Sequence, residues 1–148
     1  MAIIMTNLQS RFRDTRIQPY ELSKLTMMDC QKDERWRTRD LPRVEAHGLW
    51  YPIMLYPVTP EWWHGPYKKW RNTTDLIHEE PVINEDGMIW AIKVGNNRYQ
   101  CAVHLGYTSI DAIMFDNCHD CIKLGIWLRD CDPLNNSNAP AYTGAVRY

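Results

Sequence analysis

The sequence predicts a small α+β (mixed α/β) domain, in which a mixed sheet is flanked by helices. The chain has 148 residues, which is the length of one ordinary domain. About 45% of the residues are hydrophobic and 24% are charged, as in globular proteins. Short apolar runs alternate with segments of helical spacing, in the order strand, helix, strand, long insertion, strand, helix, strand, helix.

We expect a single domain over residues 17–131, with an insertion over residues 59–87. A polar N-terminal arm, residues 1–16, precedes this domain. Residues 132–148 are rich in asparagine, proline and small side chains. They predict a C-terminal tail, or an arm that lies on a neighbouring molecule.

In the first half of the chain, residues 16–25 (RIQPYELSKL) predict a short strand that turns at Pro19. The charged stretch that follows predicts either one helix or two short helices, of which the second begins at Pro42. Gly48 fits the end of this helical region, because glycine is common just after a helix. The compact apolar run of residues 51–58 (YPIMLYPV) then predicts a buried strand.

The insertion is polar, aromatic and proline-containing, so it predicts neither a strand nor a regular helix over its whole length. Connections of this length usually have a function or contain small elements of their own. A turn at residues 84–87 leads into the strand MIWAIKV, residues 88–94.

The second half of the domain continues with a helix over residues 96–105, which Gly106 terminates. Residues 109–115 (SIDAIMF) predict another strand. Residues 118–131 (CHDCIKLGIWLRDC) predict an amphipathic helix.

The motif G-N-N-R stands at the junction between the strand MIWAIKV and the helix that follows it. Gly95 lets backbone N–H groups approach a ligand, and a helix N-terminus favours negative charge. The planar guanidinium of Arg98 grips a phosphate group at two points. The alternative interpretation is an ordinary turn with an exposed arginine, in which Asn97 caps the helix.

Two stretches resemble the conserved boxes of the ParB/sulfiredoxin-like superfamily, in its small stand-alone phage or mobile-element type. The first is LPRVEAHGLWYPIMLYP and the second is DGMIWAIKVGNNRYQCAVHLGYTSIDAIMF, and together they span residues 41–115. The positions that match are Leu41, Gly48, Pro52, Ile53, Gly87, Gly95, Arg98, Ala102, Leu105, Gly106, Ile110 and Ile113.

In that superfamily the G-x-x-R turn binds nucleotide phosphates. The resemblance therefore implies that Gly95, Asn96, Asn97 and Arg98 hold a nucleotide such as ATP or CTP, with Mg²⁺. Asn96 stands where ParB proteins have a glutamate and sulfiredoxins a catalytic cysteine, which argues against sulfinic acid repair and predicts weaker metal binding. The 33 residues after Phe115 are too few for the DNA-reading module of chromosome-partitioning ParB proteins.

A second motif, WWHGPYKKWR, interleaves aromatic and basic residues within the insertion. Aromatic rings stack on bases while lysines meet phosphates, so the motif is a candidate contact for single-stranded nucleic acid or a nucleotide base. The alternative is a proline-ordered loop that packs its tryptophans on the domain or on another subunit. The candidate residues are Trp62, Trp63, Lys68, Lys69 and Arg71.

Composition and cysteine spacing predict a cytoplasmic protein, in the host cytoplasm if the protein is viral. The net charge is −1, the first residues do not form a secretory signal, and no apolar run reaches the length of a membrane span. We therefore expect reduced thiols and no membrane contact. Cys118 and Cys121 lack the second pair that a zinc ribbon needs, so no zinc or other protein-bound metal is expected. The cysteines are Cys30, Cys101, Cys118, Cys121 and Cys131.

Three classes of function remain open on the sequence. The chain is a nucleotide-dependent switch or phosphotransferase, or a nucleic-acid-binding protein or nuclease, or an interaction protein that has lost the ancestral ligand. The third class predicts a homo-oligomer or a host protein partner. No catalytic residue is assigned, although several charged side chains belong to the same candidate region. They are His64, Glu79, Glu80, Asp86, Asp111, Glu34, Arg37 and Arg39.

Overall fold

A computed structural model describes residues 16–30, 32, 34–49, 52–74, 76–77 and 79–116. The predicted helix over residues 118–131, the C-terminal tail and nearly all of the N-terminal arm lie outside the described residues. Within the described ranges, no helix is long and apolar enough to span a lipid bilayer.

The centre of the domain is one five-stranded mixed sheet with the strand order β1-β5-β3-β4-β2. β1 pairs with β5 and β3 pairs with β4 in antiparallel fashion, whereas β3–β5 and β2–β4 are parallel pairs. The predicted α+β class with a mixed sheet is confirmed. The strands are β1 (Gln18–Glu21), β2 (Leu25–Met27), β3 (Ile53–Val58), β4 (Ile89–Val94) and β5 (Ser109–Met114).

The sequence predicts a turn at Pro19, but the N-terminal strand continues through this residue. Pro19 lies inside β1, opposite Asp111 of β5. β1 is an edge strand, so the missing N–H of proline costs no ladder hydrogen bond. The turn comes later, in a 3₁₀ turn at Leu22–Lys24, and it leads directly into the short strand β2 that the sequence did not predict.

The charged stretch after β2 forms one continuous helical region. A π-helical turn at Trp36–Asp40 runs into α1 (Leu41–His47), so Pro42 does not begin a separate helix. Pro42 has no N–H to donate to the preceding turn, and the backbone widens just before it, where Leu41 N–H bonds to the Trp36 carbonyl. The region ends at Gly48 with a φ of +74°, as predicted.

The first part of the insertion is helical. Residues 60–71, the insertion helix, comprise α2 (Pro60–Trp62), a π-helical turn (Trp63–Tyr67) and α3 (Lys68–Arg71). Thr59 Oγ1 caps its start by accepting a 3.1 Å hydrogen bond from Trp62 N–H. The predicted turn at residues 84–87 is confirmed by a 2.8 Å bond from Gly87 N–H to the Asn84 carbonyl.

Helices pack on both faces of the sheet. Neighbouring strand residues point to opposite faces, so Ala91 and Ile92 of β4 mark the two sides. Ile92 belongs to a buried cluster that includes Cys101 of α4 (Asn96–His104), and Ala91 belongs to a second cluster with Trp63 and Tyr67 of the insertion helix. The insertion is therefore part of the core rather than an appendage to it.

Candidate functional site

Three chain segments meet at one end of the strands because of the directions in which the strands run. β2 and β4 are parallel neighbours, so their C-terminal ends lie side by side. β3 is antiparallel to β4, so the start of β3 lies beside the end of β4. Residues 28–30, residues 52–53 and the GNNR turn (residues 95–98) are thereby brought together.

Gly95 is the residue on which this junction depends. It has a φ of +108° and a ψ of 21°, and it precedes α4 as its N-cap. A Cβ at this position would lie 2.5 Å from Ile53 Cγ2 and 2.8 Å from Ile53 Cβ. Only glycine combines this left-handed backbone with so close an approach to β3.

Asn96 joins α4 to the end of β2. Its Nδ2 donates a 2.8 Å hydrogen bond to the Met28 carbonyl. Its Oδ1 is buried and has no hydrogen-bond partner in the described structure. The alternative in which Asn97 caps α4 does not hold, because the cap residue is Gly95 and it forms no side-chain cap bond.

Arg98 is tied to the start of β3 rather than exposed. Its Nη1 donates a 2.8 Å hydrogen bond to the Pro52 carbonyl, and its side chain is half-buried. This bond holds the guanidinium beside the first turn of α4, where a planar fork of donors can meet a phosphate. The interpretation of Arg98 as a solvated surface arginine is therefore corrected.

The electrostatics of the GNNR turn favour an anion. The first turn of α4 contains no acidic residue. Lys93, two residues before Gly95, forms a 3.0 Å ion pair with Asp29 Oδ2, and Asp29 has an unusual φ of +58° for a non-glycine residue. Lys93 and Asp29 were not singled out in the sequence, because nothing in the linear spacing shows that residues 29 and 93 meet.

Of the carboxylates considered from the sequence, Glu79 is the one that lies near α4. Its Oε1 accepts a 3.4 Å hydrogen bond from Met27 N–H, and burial raises the pKa of this carboxyl. Burial and the charge of Glu79 together raise the pKa of Tyr99, which is on α4. Asp86 instead accepts from Trp90 Nε1 and Met88 N–H in its turn, and these two bonds lower its pKa.

The other charged candidates lie in separate contacts and do not meet Glu79. Glu34 and Arg37 pair with each other at 3.6 Å, and Arg39 pairs with the adjacent Asp40 at 3.1 Å. His64 and Glu80 are exposed, while Asp111 lies on β5 opposite β1. The contacts of these side chains join none of them to Glu79.

The candidates of the WWHGPYKKWR motif do not share one accessible surface. Trp63 and Arg71 are buried, whereas Trp62 is 38% exposed and Lys68 and Lys69 are exposed. Trp70, which was not among the candidates, is 51% exposed. Its position eight residues after Trp62 would have placed it on the same side of a helix, had a helix been predicted there.

The described residues were also compared with the side-chain groups that bind metal ions. They contain no group of three or more His, Cys, Asp or Glu side chains that could hold an ion. Cys30 and Cys101 are buried and form no disulfide, and burial raises the pKa of Cys101 to about 12. The pair Cys118 and Cys121 lies outside the described residues.

No family model matches the chain, and no curated protein matches it. Among solved structures, one that matches is the C-terminally truncated chromosome-partitioning protein ParB from Caulobacter crescentus, complexed with CTP-gamma-S. The TM-score is 0.43 at 15% sequence identity, over 84% of this chain and 54% of that chain. This chain thus spans about half the length of its structural neighbour.

Proposed function

We propose that this chain is a ParB/sulfiredoxin-like domain that binds the phosphate groups of a nucleotide at the GNNR turn. The observation that carries the proposal is the glycine N-cap of α4. The cap residue has no side chain that could accept from the first-turn N–H groups, and the first turn contains no acidic residue. Backbone N–H groups at a helix start and the positive end of the helix dipole are the ordinary features of a phosphate site.

One basic side chain supports this site. Arg98 is held next to the turn by its bond to Pro52, whereas the charge of Lys93 is paired with Asp29. The motif resemblance also assigns phosphate binding to G-x-x-R. The geometry of the described residues and the sequence motif therefore favour the same ligand class.

The described residues do not fit a magnesium ion held by the protein. Mg²⁺ prefers carboxylate oxygens, whereas the GNNR turn itself has only neutral amide oxygens such as Asn96 Oδ1, and the described residues contain no group of three or more His, Cys, Asp or Glu side chains that could hold an ion. Asn96 also has a structural task, because its amide holds the end of β2. We therefore favour a nucleotide-dependent switch over a phosphotransferase, and no chemical step is assigned.

Calorimetric titration with ATP, ADP, CTP and GTP tests the proposal. Asn97→Asp adds a negative charge to the first turn of α4 and should weaken nucleotide binding by about tenfold or more. Gln18→Glu makes the same change of net charge on β1, at the opposite edge of the sheet, and should bind like wild type. The absence of nucleotide binding, or equal binding by Asn97→Asp, would refute the proposal.

A second candidate function is contact with single-stranded nucleic acid through the insertion helix. The exposed Trp62 stacks on Tyr67 at 5.0 Å and 19°, and the exposed Trp70 lies 6.1 Å from the same ring. Exposed Lys68 and Lys69 supply positive charge in the same helix. Rings of this kind offer stacking platforms to bases, and lysines contact phosphates.

Binding of a fluorescent oligonucleotide at several salt concentrations tests this candidate. We expect affinity to fall steeply with salt and to be lost when Trp62 and Trp70 are both changed to alanine. An incubation with Mg²⁺ or Mn²⁺ distinguishes cleavage from binding. If oligonucleotides do not bind and the double variant instead changes the molecular mass in light scattering, the rings mediate self-association.

A further inference from the structure

The inner side of the insertion helix contains a buried cation. Arg71 is only 6% exposed, and the neighbouring Trp63 and Tyr67 are 1% and 4% exposed. Arg71 Cζ lies 5.6 Å from the Trp63 ring centroid and 5.3 Å from the Tyr67 ring centroid. The three side chains follow one another at intervals of four residues, so they form one row facing the sheet.

Two hydrogen-bond donors in this row have no acceptor. Both Arg71 Nε and Trp63 Nε1 are buried, and neither has a hydrogen-bond partner in the described structure. An unsatisfied buried donor destabilises the folded state, and a buried charge without a counter-charge does so more strongly. Ring contacts offset only part of that cost. The arrangement is therefore incomplete as a purely structural cluster.

The carboxylate associated with this row is already engaged elsewhere. Asp29 N–H donates a 2.9 Å hydrogen bond to Tyr67 Oη, which places Asp29 at the edge of the row. Its Oδ2, however, is paired with Lys93 at 3.0 Å. Asp29 thus neutralises Lys93, and among the described residues no carboxylate is hydrogen-bonded to Arg71.

We infer that Arg71 and Trp63 bind a small oxyanion of the phosphate class beneath the insertion helix. An oxyanion accepts from both buried donors and neutralises the guanidinium, which an uncharged ligand does not do. Because Arg71 is only 6% exposed, the ligand that we infer is an inorganic ion rather than a polymer or a nucleoside. Such an ion would fasten the insertion helix to the second core cluster, independently of the GNNR turn.

The test follows thermal unfolding of the whole chain in inorganic phosphate against chloride of equal ionic strength. It uses the Asn97→Asp background, which suppresses anion binding at the GNNR turn. Phosphate should raise the melting temperature in this background. Arg71→Met should abolish that rise and should itself melt higher in phosphate-free buffer, because it removes an uncompensated buried charge.

Two further variants test the assignment. Trp63→Phe keeps an aromatic ring but removes Nε1–H, and it should weaken the phosphate effect about tenfold. Lys32→Met removes one exposed charge outside the insertion helix and should leave the phosphate effect unchanged. AMP should have no effect that depends on Arg71, because its nucleoside cannot enter.

The inference fails if wild type and Arg71→Met respond to phosphate alike, or if phosphate has no effect in the Asn97→Asp background. Hydration alone would then satisfy the two donors. An Arg71-dependent response to AMP equal to that of phosphate would overturn the restriction to small ions. None of these results bears on nucleotide binding at the GNNR turn, which is measured separately by calorimetry on protein with an intact Asn97.

Discussion

The side-chain amide of Asn96 donates a 2.8 Å hydrogen bond to the backbone carbonyl of Met28, so the first turn of α4 holds the end of β2. β2 has only three residues and lies at an edge of the sheet. A strand so short needs support at its ends, and Asn96 supplies it. Asn96 thus has a structural role in this chain.

Exchanging Asn96 and Asn97 for aspartate, one at a time, should change stability in opposite directions. Asn96→Asp loses the donor and places a carboxylate against the Met28 carbonyl, which should cost about 1–3 kcal/mol. The favourable interaction of the new carboxylate with the helix dipole offsets at most about 1 kcal/mol of this loss in stability. Asn97→Asp gains the dipole term without losing a recorded bond and should stabilise by a few tenths of a kcal/mol. Urea unfolding measures both, and equal shifts for the two variants would contradict the assigned bond.

Gly95→Ala should destabilise the protein more than Gly87→Ala, although both glycines have a positive φ. Gly87 has a φ of +78° with nothing within 4 Å of its added Cβ, so only backbone strain of about 1 kcal/mol is expected. At Gly95 the added Cβ also collides with Ile53, which adds about 1–3 kcal/mol. Thermal and urea unfolding of the pair isolate the cost of the Ile53 contact. Equal losses would show that β3 can move away from the GNNR turn.

Glu79→Gln should stabilise the protein at neutral pH and have no such effect in acid. Burial raises the pKa of Glu79 above its ordinary value of 4.5, so the folded state binds this proton more readily than the unfolded state. Its contribution to stability is therefore lost as the pH rises through the raised pKa. Glutamine keeps the acceptor for Met27 N–H and removes the charge. The gain should be below about 1 kcal/mol, because the carboxylate is partly solvated.

This prediction is checked by the free energy of unfolding of both proteins between pH 3.5 and pH 8, a range chosen around the ordinary glutamate pKa. The difference should be present at pH 7 and should vanish below pH 4.5. A variant that is less stable at pH 7 would mean that the Glu79 charge is compensated in the folded protein.

Cys101 should resist alkylation in the native protein. Burial raises its pKa to about 12, so almost no thiolate exists near neutral pH, and iodoacetamide reacts with the thiolate. Peptide mass spectrometry should find Cys101 modified in urea and unmodified in buffer. Cys30 is buried as well and should behave in the same way. Similar labelling of Cys101 with and without urea would show that α4 opens readily.

The spacing of apolar residues along the sequence predicted the longer strands and helices, such as β4 and α4. Pro19 misled the prediction, because whether a proline breaks a strand depends on its place in the sheet. β2 was missed because three residues carry no periodic signal, and it exists only through its pairing with β4. The insertion helix was missed for a different reason, since its proline and glycine are accommodated in a widened turn.

In the candidate site, too, local features could be predicted from the sequence and tertiary contacts could not. Gly95 and Arg98 could be identified from their local motif, as residues of a strand-to-helix turn. Their partners Pro52 and Ile53, and the pairing of Lys93 with Asp29, arise from tertiary contacts that no local pattern encodes. The burial of Arg71 likewise appears only when the insertion helix lies on the sheet.

The strand order also determines when the domain can assemble during synthesis. β1 and β2 are made first, yet they occupy opposite edges and pair with β5 and β4, the last strands of the sheet to be made. The sheet therefore cannot close until about residue 114 has left the ribosome. β2 has no partner strand until β4 is made, and β1 has none until β5 is made, which exposes the nascent chain to chaperones and to mispairing.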